Sequence, residues 1–281
     1  MRLMVLGCGN VGTEVAKRAR GLGWQVVATT TSTERQEELL AVADEVAVLT
    51  GDDEAAVAAA AQGADAILVA ASPRIMQART APERAASYRA VLVDSVASAV
   101  AACDRVVFLS SISVYGDGRQ GSADVLDERT ARTSSDEPSS VYFGMAEDVA
   151  LAAPRGAVLR LADVYGNERD VSYVDRVRMV HEHMGGSAPF AGDGRLHRVH
   201  VDDVADAVIH VLTHDLVGAY NCVPDLVPAP TNKEAFDGIA DGAGLERIEL
   251  RGELATPTRQ VTSAKLRATG FSFGHPDDAL V

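Results

Sequence analysis

Short apolar runs alternate along the chain with longer segments in which apolar residues recur at helical spacing. The apolar runs predict strands at Arg2–Leu6, Gln25–Thr30, Glu45–Leu49, Ala66–Ala70, Arg105–Ser110, Ala157–Leu161 and Ala219–Val223. The helical spacing predicts helices at Val11–Leu22, Ser32–Val42, Asp53–Gln62, Pro82–Cys103, Ser140–Ala152, Val171–Met184, Asp202–Thr213 and Asn232–Ala243. Because short buried strands separated by helices form a parallel sheet covered on both faces, the pattern predicts an α/β fold. We therefore expect a parallel sheet with helices on both faces.

The second half of the chain is less regular than the first, and a loop with glycine and proline is predicted over residues 185–194. We therefore expect two units. Residues 1–162 form the nucleotide-binding core, to which residues 199–223 return. Residues 163–198 and 224–281 together form the smaller lobe.

Composition narrows the possible partners. The formal net charge is −14, which disfavours nucleic acid and anionic membranes. The three cysteines form no C-x-x-C pair, the first apolar run is too short for a signal peptide, and no apolar stretch could span a bilayer. We expect a cytoplasmic protein with a small-molecule substrate and no nucleic-acid or membrane partner. A homodimer is left open.

A glycine turn, G-C-G-N-V-G, follows the first predicted strand and leads into the first helix. In a dinucleotide-binding turn, Gly7 permits the tight bend, Gly9 admits the pyrophosphate, and Gly12 lets helix and strand pack closely. Asn10 and Val11 then begin a helix whose free N–H groups face the phosphates. The alternative is a glycine-rich turn that binds no ligand.

The end of the second strand bears on the choice between NAD and NADP. No acidic residue follows it directly, and the sequence continues T-T-T-S-T-E-R. An acid there would bind the ribose hydroxyls of NAD, whereas Thr30, Thr31, Ser32 and Arg35 suit a 2′-phosphate. The predicted cofactor is therefore NADP in preference to NAD, and the alternative for Arg35 is a solvated surface residue.

Residues after the third and fourth strands complete the predicted cofactor site. Asp52 follows the third strand and is a candidate cofactor residue, with a helix N-cap as its alternative. The small residues Ala70, Ala71 and Ser72 let the backbone lie along the cofactor, with close packing as their alternative. Asp202 and Asp203 are expected to cap the helix that they open and to place negative charge at its start, with no part in the chemistry.

Four segments together resemble the extended short-chain dehydrogenase/reductase superfamily, in its NAD-dependent epimerase/dehydratase group. They are the glycine turn, V-F-L-S-S-I-S-V-Y-G from Val107, L-R-L-A-D-V-Y-G from Leu159, and H-V-D-D-V-A from His200. The resemblance implies a Rossmann-type doubly wound parallel sheet with a small C-terminal substrate lobe, and it places Asp52 near the adenine of the cofactor. It also implies an NAD(P)-dependent epimerase, dehydratase or reductase acting on a hydroxyl or carbonyl carbon, with a nucleotide sugar as one candidate substrate.

The resemblance also implies roles for single residues. Ser111 would orient the substrate oxygen with Ser113 beside it, and Val164 would line the cofactor. The alternative for the serines is that they satisfy backbone groups in a turn. Tyr142 would be the acid/base and would contact the cofactor, or it would be a packed helix tyrosine.

One departure from the family pattern weakens the expected chemistry. The family places a lysine four residues after its tyrosine, and here that position is Ala146. Without a nearby cation a tyrosine should titrate near ~10. The rival hypothesis is therefore a non-catalytic NADP-binding sensor or scaffold protein.

The remaining candidates are cationic or imidazole side chains. Arg195 and Arg198 follow a glycine turn, and the resemblance implies that an arginine here binds a substrate diphosphate. The alternative is a surface ion pair. His197 near the cleft is a structural residue or a proton carrier. His181 and His183 face apart on a helix, and no metal site is predicted.

Overall fold

The computed structural model describes residues 1–73, 80–120, 124–167 and 170–275. The strands are β1 (Arg2–Leu6), β2 (Gln25–Thr30), β3 (Glu45–Val48), β4 (Ala66–Val69), β5 (Val106–Ser111), β6 (Val125–Leu126), β7 (Ala157–Leu161), β8 (Asp163–Tyr165), β9 (Ser187–Phe190), β10 (Arg198–His200), β11 (Gly218–Cys222), β12 (Glu249–Leu254) and β13 (Gln260–Val261). The helices are α1 (Asn10–Gly21), α2 (Gln36–Leu40), α3 (Glu54–Ala60), α4 (Ala81–Tyr88), α5 (Ser95–Ala102), α6 (Pro138–Leu151), α7 (Tyr173–Met184), α8 (Val201–Thr213), α9 (Asn232–Ala243) and α10 (Ala264–Arg267).

Seven parallel strands form the central sheet in the order β11-β7-β5-β4-β1-β2-β3. The predicted Rossmann-type doubly wound sheet is thereby confirmed. The winding changes direction at β1, which lies between β4 and β2. In such sheets ligands bind beyond the carboxyl ends of the strands at this reversal.

The two faces of the sheet bury different residues of the same strand. Along β1, Leu3 and Val5 pack into a cluster with α1 and α8, whereas Met4 and Leu6 pack into a second cluster with α3, α5 and α6. This follows from the alternation of side chains along a strand. Both faces are apolar because helices cover both, as the continuous apolar runs predict.

A third cluster fills the smaller lobe. It unites the two chain pieces expected there, with members Tyr173, Val177, Ala188, Phe236, Ile239, Ala240 and Ile248. The end of the chain departs from the expected division, because Val261, Leu266 and Phe271 pack into the larger cluster beside α1 and α8. Helix α10 contacts β11, so this segment belongs to the core and not to the lobe.

Several elements differ from the sequence pattern. The helix predicted from Pro82 to Cys103 is α4 and α5 joined by a π-helical segment, Arg89–Asp94. The predicted loop over 185–194 contains β9, which pairs with the distant β12. No helix in the described ranges is long and apolar enough to cross a bilayer.

Candidate active site

The glycine turn is built to bring backbone close to a ligand. Gly7 has a φ of +93°, and a Cβ there would lie 2.6 Å from backbone atoms of Ala71. Its N–H donates to the buried Thr29 hydroxyl over 2.9 Å, which fixes the turn to β2. A Cβ on Gly12 would lie 2.7 Å from the Gly7 carbonyl oxygen, whereas one on Gly9 would meet nothing within 4 Å. The space beside Gly9 is therefore open towards the cleft.

A cleft of about 820 Å³ lies beyond the carboxyl ends of β1, β2, β4, β5 and β7. Twelve of the predicted cofactor residues line it: Gly7, Gly9, Asn10, Val11, Thr30, Thr31, Arg35, Asp52, Ala70, Ala71, Ser72 and Val164. Gly12 packs behind the turn, and Ser32 instead hydrogen-bonds Glu34. The open space at Gly9 and the N-terminus of α1 fit the pyrophosphate of a dinucleotide.

Arg35 reaches the glycine turn from the segment after β2. Its Nη1 donates to the Cys8 carbonyl over 2.9 Å, and its Nη2 lies 3.3 Å from a Glu38 carboxylate oxygen. The side chain is one-quarter exposed. A partly buried guanidinium thus lines the cleft beside the glycine turn.

At the starts of α3 and α8 the residue that caps the helix is not the one that the sequence indicated. Asp53, not Asp52, caps α3 by accepting from the Ala56 N–H at 3.0 Å, so the N-cap alternative for Asp52 is wrong. Asp52 is left free to line the cleft. At α8 the N-cap is His200, whose Nδ1 accepts from the Asp202 N–H at 3.2 Å.

Asp202 and Asp203 therefore act differently from helix caps. Hydrogen bonding to Arg18 lowers the pKa of Asp202 and ties α8 to α1. Asp203 is buried, and it accepts backbone N–H groups from Gly274 and His275 at 2.7 and 3.0 Å. This carboxylate anchors the end of the described chain against α8.

A cluster of three serines ends β5. Ser110 donates to a buried carboxylate oxygen of Glu147 at 2.7 Å. Ser111 lines the cleft and accepts from the Ser113 N–H at 3.1 Å, so part of the turn alternative is correct. The Ser113 hydroxyl is buried, and within the described ranges no group bonds to it.

Tyr142 does not lie among the residues that line the cleft. Its ring is parallel to that of Tyr88, with the ring centroids 6.1 Å apart. Tyr142 also packs against the apolar cluster that α3, α5 and α6 form with one face of the sheet. The next residue, Phe143, lines the cleft instead, beside Ser110 and Ser111. Ala146, the position expected for a lysine, is fully buried in the same apolar cluster. The structure thus brings Ser111 but not Tyr142 to the wall of the cleft.

Sequence reasoning missed a buried network behind the serines. Arg160 on β7 donates to Glu147 on α6 from Nε at 2.9 Å and from Nη2 at 2.7 Å, and to the Tyr115 hydroxyl at 2.8 Å. Burial opposes the charge on Arg160, but the bonds to Glu147 outweigh it and raise the pKa of Arg160. The signal available was Arg160, a charged residue inside the otherwise apolar β7, because a buried charge implies a partner.

A second cavity, of about 400 Å³, lies between the core and the smaller lobe. It shares Ser111, Ala162 and Val164 with the cofactor cleft. Arg195 lines this cavity, whereas Arg198 lies over the ring of Tyr165 at 4.9 Å. The two predicted arginines are therefore in different environments.

His197 also lines the second cavity and is almost fully buried. Its Nε2 accepts from the Val261 N–H at 3.1 Å. Burial, and then the charge of Arg195, lowers the pKa of His197 to about 4, while a weaker backbone interaction with Arg195 acts in the opposite direction. The ring is therefore neutral near pH 7.

His200, Asp202 and His275 form a cluster that the sequence did not suggest, with potential ligand atoms all within 4.8 Å of one another. The two imidazoles stack at 3.9 Å and 19°, so their nitrogens lie side by side and do not converge. His200 Nδ1 also accepts the Asp202 N–H. The arrangement is explained by helix capping and ring stacking.

Comparison with known proteins agrees with this architecture. The profile of the NAD dependent epimerase/dehydratase family matches residues 3–222, and the chain belongs to that family. No curated protein matches the chain.

Solved structures share the fold at low sequence identity. A conserved protein of unknown function from Silicibacter pomeroyi is 22% identical, with 98% of this chain and 94% of that chain covered and a TM-score of 0.69. UDP-glucose 4-epimerase from Thermus thermophilus, solved with NAD, is 20% identical, with coverages of 98% and 94% and a TM-score of 0.75. The enzyme WbmG from Bordetella bronchiseptica, solved with NAD and UDP, is 15% identical, with coverages of 99% and 91% and a TM-score of 0.75.

Proposed function

We propose that the protein is a cytoplasmic NADP(H)-dependent oxidoreductase or epimerase that acts on a hydroxyl-bearing or carbonyl carbon of a small molecule. The observation that carries the proposal is the junction of the two cavities. The larger begins at the glycine turn, the smaller lies under the second lobe, and Ser111 lines both. A cofactor and a substrate held in them would meet at this serine.

The cofactor would be held at its pyrophosphate and at its adenosine end. Gly9 and the start of α1 would receive the pyrophosphate, and Asp52 would lie near the adenine. Arg35, already beside the turn, would bond a 2′-phosphate, since a guanidinium bonds phosphate strongly. NADP, when bound, supplies or accepts a hydride.

The substrate oxygen would be held at Ser111. Its oxygen accepts the Ser113 N–H, which leaves the hydroxyl hydrogen to donate into the junction. We do not assign the proton to Tyr142, because its ring lies against Tyr88.

A second function, a non-catalytic NADP-binding protein, is favoured by Phe143. An aromatic ring stands in the cleft wall where acid–base chemistry would need a polar group. The three lysines, all in described parts of the chain, serve elsewhere: Lys17 pairs with Glu14, Lys233 pairs with Asp237, and Lys265 bonds the Ala219 carbonyl. A lysine that would lower a tyrosine pKa is thus absent from the described cleft wall.

Two measurements separate these functions. NADPH binding would be titrated by calorimetry, and its oxidation would be followed with a panel of ketones, aldehydes and nucleotide sugars. Binding with turnover that Ser111→Ala reduces at least about tenfold supports the enzyme. Ser98→Ala, on α5 away from the cleft, is the control and should keep full turnover. Binding without turnover of any compound supports the non-catalytic protein, and no binding contradicts both.

A further inference from the structure

The second cavity carries one positive charge that no carboxylate in its wall neutralises. Its charged lining residues are Asp163, Arg176 and Arg195, and Asp163 forms an ion pair with Arg176 at 2.6 Å. His197, in the same wall, is neutral near pH 7 because burial lowers its pKa to about 4. Two arginines and one aspartate leave a net charge of +1, in a chain whose formal charge is −14.

Arg195 forms no ion pair with a carboxylate among the described residues. The pKa of Glu234 is lowered mainly by its hydrogen bonds with Thr231, and the charge of Arg195 contributes least. That carboxylate is occupied, since it accepts from the Thr231 N–H at 2.8 Å and from the Thr231 hydroxyl at 2.9 Å. The side chain of Arg195 is half-buried. A half-buried cation without a counter-ion is unfavourable, and a bound anion would remove that cost.

Two backbone carbonyls hold the Arg195 guanidinium in place. Nε donates to the Thr258 carbonyl at 3.1 Å, and Nη1 donates to the Ala229 carbonyl. Nη2 has no partner in the described ranges, and it is not among the unpartnered atoms that the protein encloses. Its N–H groups are therefore accessible to a ligand, while the rest of the guanidinium is fixed. A donor held in this way binds a ligand without the entropy cost of ordering a long side chain.

The remainder of the wall is mostly apolar. Eleven of the nineteen lining residues are apolar, and the largest of them are Val180, Phe190, Leu196, Phe236 and Ile248. Apolar walls with a few polar groups are typical of sites for small organic ligands, and burial of apolar ligand surface against them is favourable. Together with the single unpaired charge, these walls suit a molecule with an apolar body and one anionic group.

A nucleotide sugar suits this cavity less well. Its diphosphate carries two negative charges, whereas the cavity has one guanidinium that is not already in an ion pair. Its base, ribose and hexose would also place many hydroxyl and amide groups against apolar side chains, and burial of an unpaired polar group is costly.

We propose that the second cavity binds a small monocarboxylate with an apolar body, an oxo acid or the related hydroxy acid, and that Arg195 binds its carboxylate. The inference rests on the proposed function in treating this molecule as the substrate. Its oxo or hydroxyl group would then lie at Ser111, where the two cavities meet. Arg195 is a binding residue in this assignment and transfers neither hydride nor proton.

The test compares acids with amides of the same shape. The acids are 4-oxo-4-phenylbutanoate and 5-oxo-5-phenylpentanoate, and their primary amides are the uncharged controls. Each compound is titrated into the protein by calorimetry at saturating NADP, so that the cofactor cleft is occupied. We expect at least one acid to bind about tenfold or more tightly than its amide, and the difference to shrink as salt is added. UDP-glucose should bind more weakly than that acid.

Variants show whether Arg195 causes the preference. Arg195→Gln removes the charge and keeps an amide donor, so the acid should bind about tenfold more weakly while the amide keeps its wild-type affinity. Arg195→Lys keeps a charge without the planar fork and should retain part of the affinity for the acid. Arg178→Gln is the control, because Arg178 on α7 pairs with Asp175 and does not line the cavity.

The outcomes distinguish this inference from the proposed function. If each acid binds no more tightly than its amide, or if Arg195→Gln weakens acid and amide alike, the inference is wrong. Tighter binding of UDP-glucose than of both acids also overturns it. If Arg195→Gln does not fold, the acid–amide difference in wild type and its partial loss in Arg195→Lys decide. If NADP fails to bind, the proposed function fails, but the same titrations without cofactor still decide what the cavity accepts.

Discussion

Glu147 on α6 and Arg160 on β7 form a doubly hydrogen-bonded ion pair, with both side chains almost completely excluded from solvent. The pair fixes α6 against β5 and β7. It therefore determines which residues of α6 face the cofactor cleft.

Removing the carboxylate should be strongly destabilising. Glu147→Ala leaves Arg160 buried without its anion, and we expect the free energy of unfolding to fall by about 3–5 kcal/mol. Urea denaturation measures it. The control is Asp148→Ala, the neighbouring exposed residue paired with Arg132, for which a change within about 1 kcal/mol is expected. If both changes lower the free energy of unfolding equally, burial of the ion pair does not explain the loss of stability in Glu147→Ala.

Gly9→Val should abolish NADP binding while the protein still folds. A side chain at Gly9 meets no protein atom within 4 Å, so the backbone has no reason to move. It would instead occupy the space assigned to the pyrophosphate. Calorimetry gives the affinity, and Gly21→Val, at the far end of α1 with equally open surroundings, should bind as wild type. Wild-type affinity in folded Gly9→Val would remove the glycine turn from the cofactor site.

Arg35→Ala should reduce the affinity for NADP more than that for NAD. A charge-assisted bond to the 2′-phosphate is worth about 1.5–3 kcal/mol, or about a tenfold to hundredfold change in affinity. Arg20→Ala is a matched control, because Arg20 also bonds a backbone carbonyl, that of Ala41, and does not line the cleft. A parallel loss for both cofactors would mean that Arg35 only supports the turn through Cys8.

A lysine should be tolerated at Phe143 and not at Ala146. Ala146 is fully buried among apolar side chains, so Ala146→Lys buries an ammonium without a partner and should destabilise the fold. In Phe143→Lys the charge would enter the solvent-accessible cleft. Thermal melting of both variants checks this expectation. A folded Ala146→Lys protein with faster hydride transfer than wild type would contradict this expectation. It would show that Tyr142 and a lysine at position 146 can act together as in the family pattern.

The depressed pKa of His197 predicts an acid-dependent loss of stability. Because the folded pKa of about 4 lies below the usual value of 6.5, the unfolded chain binds more protons between these limits. The contribution of His197 to the free energy of unfolding is complete above about pH 6.5. As the pH falls towards 4 the protein loses this contribution, which amounts to about 3 kcal/mol. Urea denaturation of wild type and His197→Gln across this range should show their difference shrinking with acidity. A constant difference would contradict the shift.

The sequence predicted the sheet and the glycine turn because both depend on local patterns. Which residues of α6 face the cleft could not be predicted in the same way. Tyr142 and Phe143 are adjacent, and which one faces the cleft depends on the packing of Glu147 against Arg160, which belongs to a different element. The helical spacing of apolar residues does not resolve a rotation of one residue.

The second cavity could not be predicted from the sequence either, because elements far apart along the chain form it. Its walls come from β9, α7, α9 and the segment after β12, and β9 pairs with β12, which lies far along the chain beyond α9.

Ser111, Ala162 and Val164 are common to both cavities, and this sharing has a thermodynamic consequence. A ligand in one cavity alters the wall of the other, so the two binding equilibria should be coupled. If NADP changes the affinity for a ligand of the second cavity by some factor, that ligand must change the affinity for NADP by the same factor. The protein would then respond to cofactor concentration through its affinity for the second ligand, whether or not it catalyses a reaction.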